Sequence, residues 1–182
     1  MDRLQDEYDS QLHRALDLPP IAEELGTGEF AIQALFYPSF FAECAITVVR
    51  NARDATLTVR TPRRAIWPFF WKRGGAPPSL LDRLLGRRCL ERRALPGDLA
   101  DMLHRLALTS CDLPDATTQY LDGMSVAVGI IDALGQSNGY RRHVEGDTDP
   151  RDRLIRALAD SASRHIKRRV SKRGLAGVQQ HL

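Results

Sequence analysis

Three short runs in which apolar residues alternate constrain this chain more than any other feature. Phe30, Ile32, Ala34 and Phe36 alternate along 29–37, and Cys44, Ile46 and Val48 along 43–50. Leu57 and Val59 then alternate with Thr56, Thr58 and Arg60. Strand side chains point to opposite faces in turn, so period two marks strands with one apolar face. Pro38-Ser39 and Asn51-Ala52-Arg53-Asp54 separate the runs. Breaks this short join antiparallel neighbours, so a meander is expected. Two more strands are expected later. Residues 124–131, after Asp122-Gly123, form the most apolar candidate; a turn over 132–139 leads to a strand at 140–144.

Helical spacing fills the gaps. Leu4, Tyr8, Leu12 and Leu16 repeat every fourth residue over 2–17, with Pro19-Pro20 as the stop. A helical segment is expected from Ser79 through about Glu91, and another from Pro96 to about Leu108. Asp149-Pro150-Arg151-Asp152 supplies an N-cap, a proline at N1 and an acid at N3 for a last helix, which runs on toward Arg169. Strands in two clusters with helices between them predict an α+β fold. The expected form is a mainly antiparallel sheet of about five strands, three early and two late, with helices packed on one face. Residues 1–173 are expected to form a single domain, and 174–182 a frayed tail.

Composition excludes several classes. At 182 residues, 43% apolar and 27% charged, the chain has the make-up of a globular protein rather than a collagen or a disordered polymer. No apolar run approaches the roughly 20 residues that span a bilayer. The N-terminus shows no basic region followed by an apolar stretch, so a cytoplasmic protein is expected. Cys44, Cys89 and Cys111 are odd in number and far apart, which speaks against a disulfide framework or a zinc site. The high arginine-to-lysine ratio fits a GC-rich bacterial genome. The order of elements is similar to that of small bacterial α+β domains, but carries no motif that transfers a function.

The net charge of +3 hides strong segregation. Residues 1–29 hold eight acids against two bases, residues 60–93 ten bases against two acids, and residues 164–173 six bases and no acid. Either the acidic first helix lies across a basic face of the same fold, or the basic blocks meet an acidic partner or nucleic acid.

One segment stands out. Arg63 to Arg73 holds four of the twelve aromatic residues, including both tryptophans. Four such side chains, at roughly 150–250 Å² each, exceed what a monomer leaves exposed. They either plug the core under a loop, anchor a protein interface, or stack on bases or a membrane surface.

Chemistry is harder to find. The sequence has no phosphate-binding loop, dinucleotide fingerprint, zinc-protease motif or nucleophile elbow. His143, Glu145 and Asp147 would point the same way on an extended chain and are weak candidates for a divalent cation. The competing reading is a strand passing into an acidic helix N-terminus. No catalytic residue and no cofactor is assigned.

The sequence therefore points first to a non-enzymatic protein-interaction module. It would bind a partner protein, or itself, through Arg64, Trp67, Phe69, Phe70, Trp71 and Arg73. The first alternative is a nucleic-acid-binding domain using segments 60–93 and 164–173, with Arg87, Arg88, Arg168, Arg169 and Lys172 as contacts. The second is an enzyme with an unrecognised site.

Overall fold

The structure is a computed structural model that describes residues 2–38, 41–62, 65–66, 89–111, 124–144, 149–180 and 182. The elements in chain order are α1 (Asp2–Leu16), α2 (Ile21–Leu25), β1 (Phe30–Pro38), β2 (Cys44–Arg50), β3 (Ala55–Thr61), β4 (Cys89–Leu95), α3 (Gly97–Cys111), β5 (Met124–Asp132), β6 (Ser137–His143), α4 (Pro150–His165) and α5 (Arg169–Gln179). The strands form one sheet in the order β4-β3-β2-β1-β5-β6. Every neighbouring pair is antiparallel. The α+β architecture is the one expected.

There are six strands rather than about five. The additional strand is β4, whose first residues fall in the segment expected to be helical through Glu91. Its sequence, Cys-Leu-Glu-Arg-Arg-Ala-Leu, lacks an apolar alternation. Its pairing comes from the backbone ladder with β3, which sets Glu91 opposite Val59 and Arg93 opposite Leu57. The β5–β6 turn is also tighter than expected. Asp132 accepts hydrogen bonds from the amides of Leu134 and Gln136, both at 2.9 Å. Gly135 takes φ +75°, so β6 starts at Ser137.

On one side of the sheet, Ile32, Phe36, Ile46 and Val126 pack against Leu103 of α3, Leu154 and Leu158 of α4, and Leu175 and Val178 of α5. These three helices match the expected one-sided packing, but the other side is covered too. Leu35 and Ala45 pack against Tyr8, Leu12 and Leu16 of α1. Ala31 and Ile131 pack against Leu25 of α2. β1 is therefore buried on both faces. The near-continuous apolar run Phe30–Phe36, with only Gln33 polar, is what such a strand requires.

Polar contacts fix α1 on this second face. The Tyr8 hydroxyl donates to Glu43 at 2.5 Å, and the other Glu43 oxygen accepts from the Ile66 amide at 2.7 Å. Burial, reinforced by the Glu43 carboxylate, pushes the Tyr8 phenol well above its ordinary pKa, so it stays a donor. Asp9 pairs with Arg141 of β6, whose guanidinium lies 4.6 Å from the centre of the Tyr37 ring. The end of α1 is set before Pro19-Pro20 is reached. Leu18 N bonds to His13 O at 2.8 Å and Asp17 N to Arg14 O at 3.1 Å, with Asp17 at φ +48°. This is a Schellman cap with aspartate in the left-handed position.

The C-terminal segment corrects the expectation of a frayed tail from residue 174. The last helix stops at His165 instead of running on to Arg169. A second helix, α5, starts at Arg169 and buries Gly174, Leu175, Gly177 and Val178. Its glycines allow close approach: a Cβ on Gly174 would lie 2.5 Å from Thr61 Cγ2, and one on Gly177 2.4 Å from Phe41 Cβ. Gly→Ala inside a helix normally gains about 1 kcal/mol, whereas overpacking costs about 1–3 kcal/mol. Here the blocking atoms are backbone-proximal, so the clash wins. Gly174→Ala and Gly177→Ala are each expected to lower the Tm in thermal unfolding followed by circular dichroism. A rise in Tm would show that α5 is not seated this closely.

Candidate nucleic-acid interface at the β4 edge

β4 ends the sheet, and its pleat turns Glu91 toward the face covered by α5. Glu91 is 3% exposed, and of the two arginines on its own strand only Arg93 bonds to it. Its carboxylate accepts hydrogen bonds from the amides of Lys167 at 2.7 Å and Arg168 at 3.0 Å. Arg93 adds two bonds, at 3.0 and 2.6 Å. The Arg168 side chain returns to β4 and donates to the Leu90 carbonyl at 3.0 Å. Cys89 Sγ and Ser171 Oγ lie 3.3 Å apart. The carboxylate thus does for α5 what the Arg168 N-cap side chain does not, since that side chain makes no capping bond. It satisfies amides entering the helix and places a negative charge at its positive end.

With Glu91 buried and engaged, the outer surface is left to cations. Arg169, Lys172 and Arg173 share the exposed side of α5 at helical spacing. Lys167 and Arg168 precede them, whereas Arg92 on β4, also exposed, points to the other face of the sheet and donates to Thr58 Oγ1 at 3.4 Å. The ion pairs among the described residues use none of Lys167, Arg168, Arg169, Lys172 or Arg173. Two basic blocks some 75 positions apart in sequence therefore meet at one edge of the sheet, cross-linked by Glu91 and Arg168. Val170, 40% exposed, lies within this surface; Leu90, 43% exposed, pairs with Arg60 and lies on the other face of the edge strand.

Not every base of the first block belongs there. Arg60 points to the opposite face, is 6% exposed and pairs with Glu24. Together with the Asp9–Arg141 pair, this answers part of the acidic N-terminal block inside the fold. Arg64, Trp67, Phe69, Phe70, Trp71, Arg73, Arg87 and Arg88 lie outside the described residues. Of the expected contacts, Arg168, Arg169 and Lys172 are described, and all three are exposed. Ile66, where the aromatic segment begins, is buried against α1 and held by Glu43.

The weak metal candidates are not brought together among the described residues. His143 is half-buried on β6 opposite Ser125, and Glu145 and Asp147 lie outside the described residues. No group of three metal-ligating side chains occurs among the described residues. The neighbouring acids have structural partners. Asp149 caps α4 through the Arg151 amide at 2.7 Å, and Arg142 bridges Asp149 at 2.7 Å and Asp152 at 2.9 Å. Burial alone would raise the Asp149 carboxyl, but the Arg151 amide and Arg142 outweigh it and hold the pKa below the ordinary value. Cys44 is fully buried, which pushes its thiol far above the ordinary range. No helix among the described residues is long and apolar enough to cross a membrane.

Sequence reasoning found the cations but not Glu91, which organises them. Its role depends on the β3–β4 register and on a helix 76 residues away. One missed signal was present: Ser171, Gly174, Leu175 and Val178 make a small and apolar stripe at helical spacing, which marks α5 as a packed helix. No protein-family model, curated protein or solved structure matches the chain.

The Glu91 network carries a pH signature. Burial raises the carboxyl's pKa, but the amides of Lys167 and Arg168, with Arg93 and Ser171, lower it further and leave it below 4.5. A depressed folded pKa gives stability that is complete above about 4.5 and is lost as pH falls through the folded value. Glu91→Gln is expected to cost about 1–3 kcal/mol near neutral pH, the range for hydrogen bonds to a buried charged acceptor. The gap from wild type should narrow as pH falls below about 4.5, as read by urea unfolding across that range. A gap that stays constant with pH would mean the charge is not what holds α5.

Proposed function

We propose that this chain is a non-enzymatic nucleic-acid-binding protein of the bacterial cytoplasm, and that the β4–α5 edge is its contact surface. The observation that supports this reading is the run of exposed cations Lys167, Arg168, Arg169, Lys172 and Arg173 at the start of α5, beside a carboxylate, Glu91, that is buried and occupied. Exposed arginine and lysine side chains suit a phosphate backbone. Nothing in the described surface reads bases, so binding is expected to be largely indifferent to sequence.

Fluorescence anisotropy with single- and double-stranded oligonucleotides across a salt series tests this. If all five cations (Lys167, Arg168, Arg169, Lys172, Arg173) meet phosphates on duplex DNA, the log–log salt slope is about −4.5. Arg168→Glu/Arg169→Glu should abolish binding at moderate salt while leaving the fold intact. Absence of binding at low salt would overturn the proposal.

A second reading draws on Val170 and Leu90, exposed apolar side chains on the two faces of the same sheet edge. Such a mixture suits a protein interface, where arginine and apolar residues are enriched. In that reading the chain binds an acidic partner protein or a second copy, with Arg64, Trp67, Phe69, Phe70, Trp71 and Arg73 as the contacts expected from the sequence. Light scattering separates the two. A dimer dispersed by Leu90→Ser/Val170→Ser, with no nucleic-acid binding, favours the protein interface.

A further inference from the structure

The other side of the sheet holds a feature the basic edge does not use. Between the end of α1, α2 and β3 lies an open cleft of about 410 Å³. This falls within the roughly 300–1,000 Å³ of small-molecule sites. Arg60 of β3 forms part of its wall, and His13 and Arg14 from the last turn of α1 form another part. Asp17 and Glu23, both exposed, line the rim. Leu18 contributes apolar surface.

Arg60 is the informative residue. Its guanidinium is more than nine-tenths buried; one terminal nitrogen, Nη2, pairs with Glu24, and the other, Nη1, has no hydrogen-bond partner among the described residues. Buried N–H groups are nearly always paired, so an orphaned one on a residue that lines a cleft calls for an acceptor. An anionic oxygen is the acceptor a guanidinium binds most strongly. The rim has the opposite sign. A second anionic group there would be repelled by Asp17 and Glu23, whereas an ammonium would be welcomed.

From this arrangement we infer that the cleft binds a free amino acid. Its carboxylate meets Arg60 Nη1 with help from His13 and Arg14, and its ammonium lies toward Asp17 and Glu23. Nη1 is shielded from solvent, so a ligand reaches it only when side chains lining the cleft rearrange. The site is independent of the basic edge, and neither needs the other to be correct.

The test uses the full chain, labelled for NMR, titrated with pools of the standard amino acids and, in parallel, with propionate as a carboxylate without an amine. The expected result is saturable amide shifts confined to residues 13–18, 23–24 and 60 with at least one pool, and weaker binding of propionate. Arg14→Glu should weaken binding about tenfold, the factor carried by one charge-assisted hydrogen bond. Arg60→Gln leaves Glu24 unpaired and risks unfolding. The double variant Arg60→Gln/Glu24→Gln removes both charges together, and it should lose binding while staying folded. Arg168→Glu/Arg169→Glu should bind as wild type does. No saturable shift with any pool, equal binding of propionate, or shifts confined to 167–173 would each overturn the proposal.

Discussion

From Phe30 to Phe36 every side chain of β1 is buried, and this double burial imposes a demand that the other elements meet. One face requires three helices and the other requires α1 and α2. Both neighbours of β1 must be strands, because a buried backbone needs all its hydrogen bonds made. β2 and β5 supply them along its whole length. The strands farther out are progressively less apolar, and they end in the charged β4 on one side and the polar β6 on the other. Charged and polar edges discourage pairing with another chain.

Four links through buried charges follow one pattern. Glu43 joins α1 to the start of the aromatic segment, Glu24 and Arg60 join α2 to β3, Glu91 joins β4 to α5, and Asp152 joins α4 to β6. All but the last span elements distant in sequence. Buried ion pairs add little net stability because desolvation offsets attraction, but removing one partner is costly. Their effect is to fix which elements meet. At Glu91 this has a functional consequence: one carboxylate gathers the helix start and Arg93, and it leaves five neighbouring cations facing outward.

The parts of this design visible in the sequence are those whose cause is local. The strands β1, β2 and β3 follow from apolar alternation, and α4 from its N-cap and Pro150. The exposed cations Arg168, Arg169 and Lys172 follow from a charge run. The parts that escaped depend on distant partners. β4 is a strand because β3 offers a ladder, and its own residues carry no apolar alternation. The second buried face shows in the sequence only as a lack of polar residues between Phe30 and Phe36, which the alternating reading passes over. Helix α5 looks like a tail until Thr61 and Phe41 are known to need the space that Gly174 and Gly177 leave. The buried charge of Arg60 belongs in sequence to the basic block, but the β3 pleat sends it to the other face.

The most direct test of the central claim is a map of amide shifts as a short single-stranded oligonucleotide is added to the protein at low salt. The account predicts shifts at residues 167–173 that fade together as salt is raised. Shifts centred on the α1–α2 face, or none at any salt, would contradict it and would leave the cations gathered by Glu91 without a nucleic-acid role.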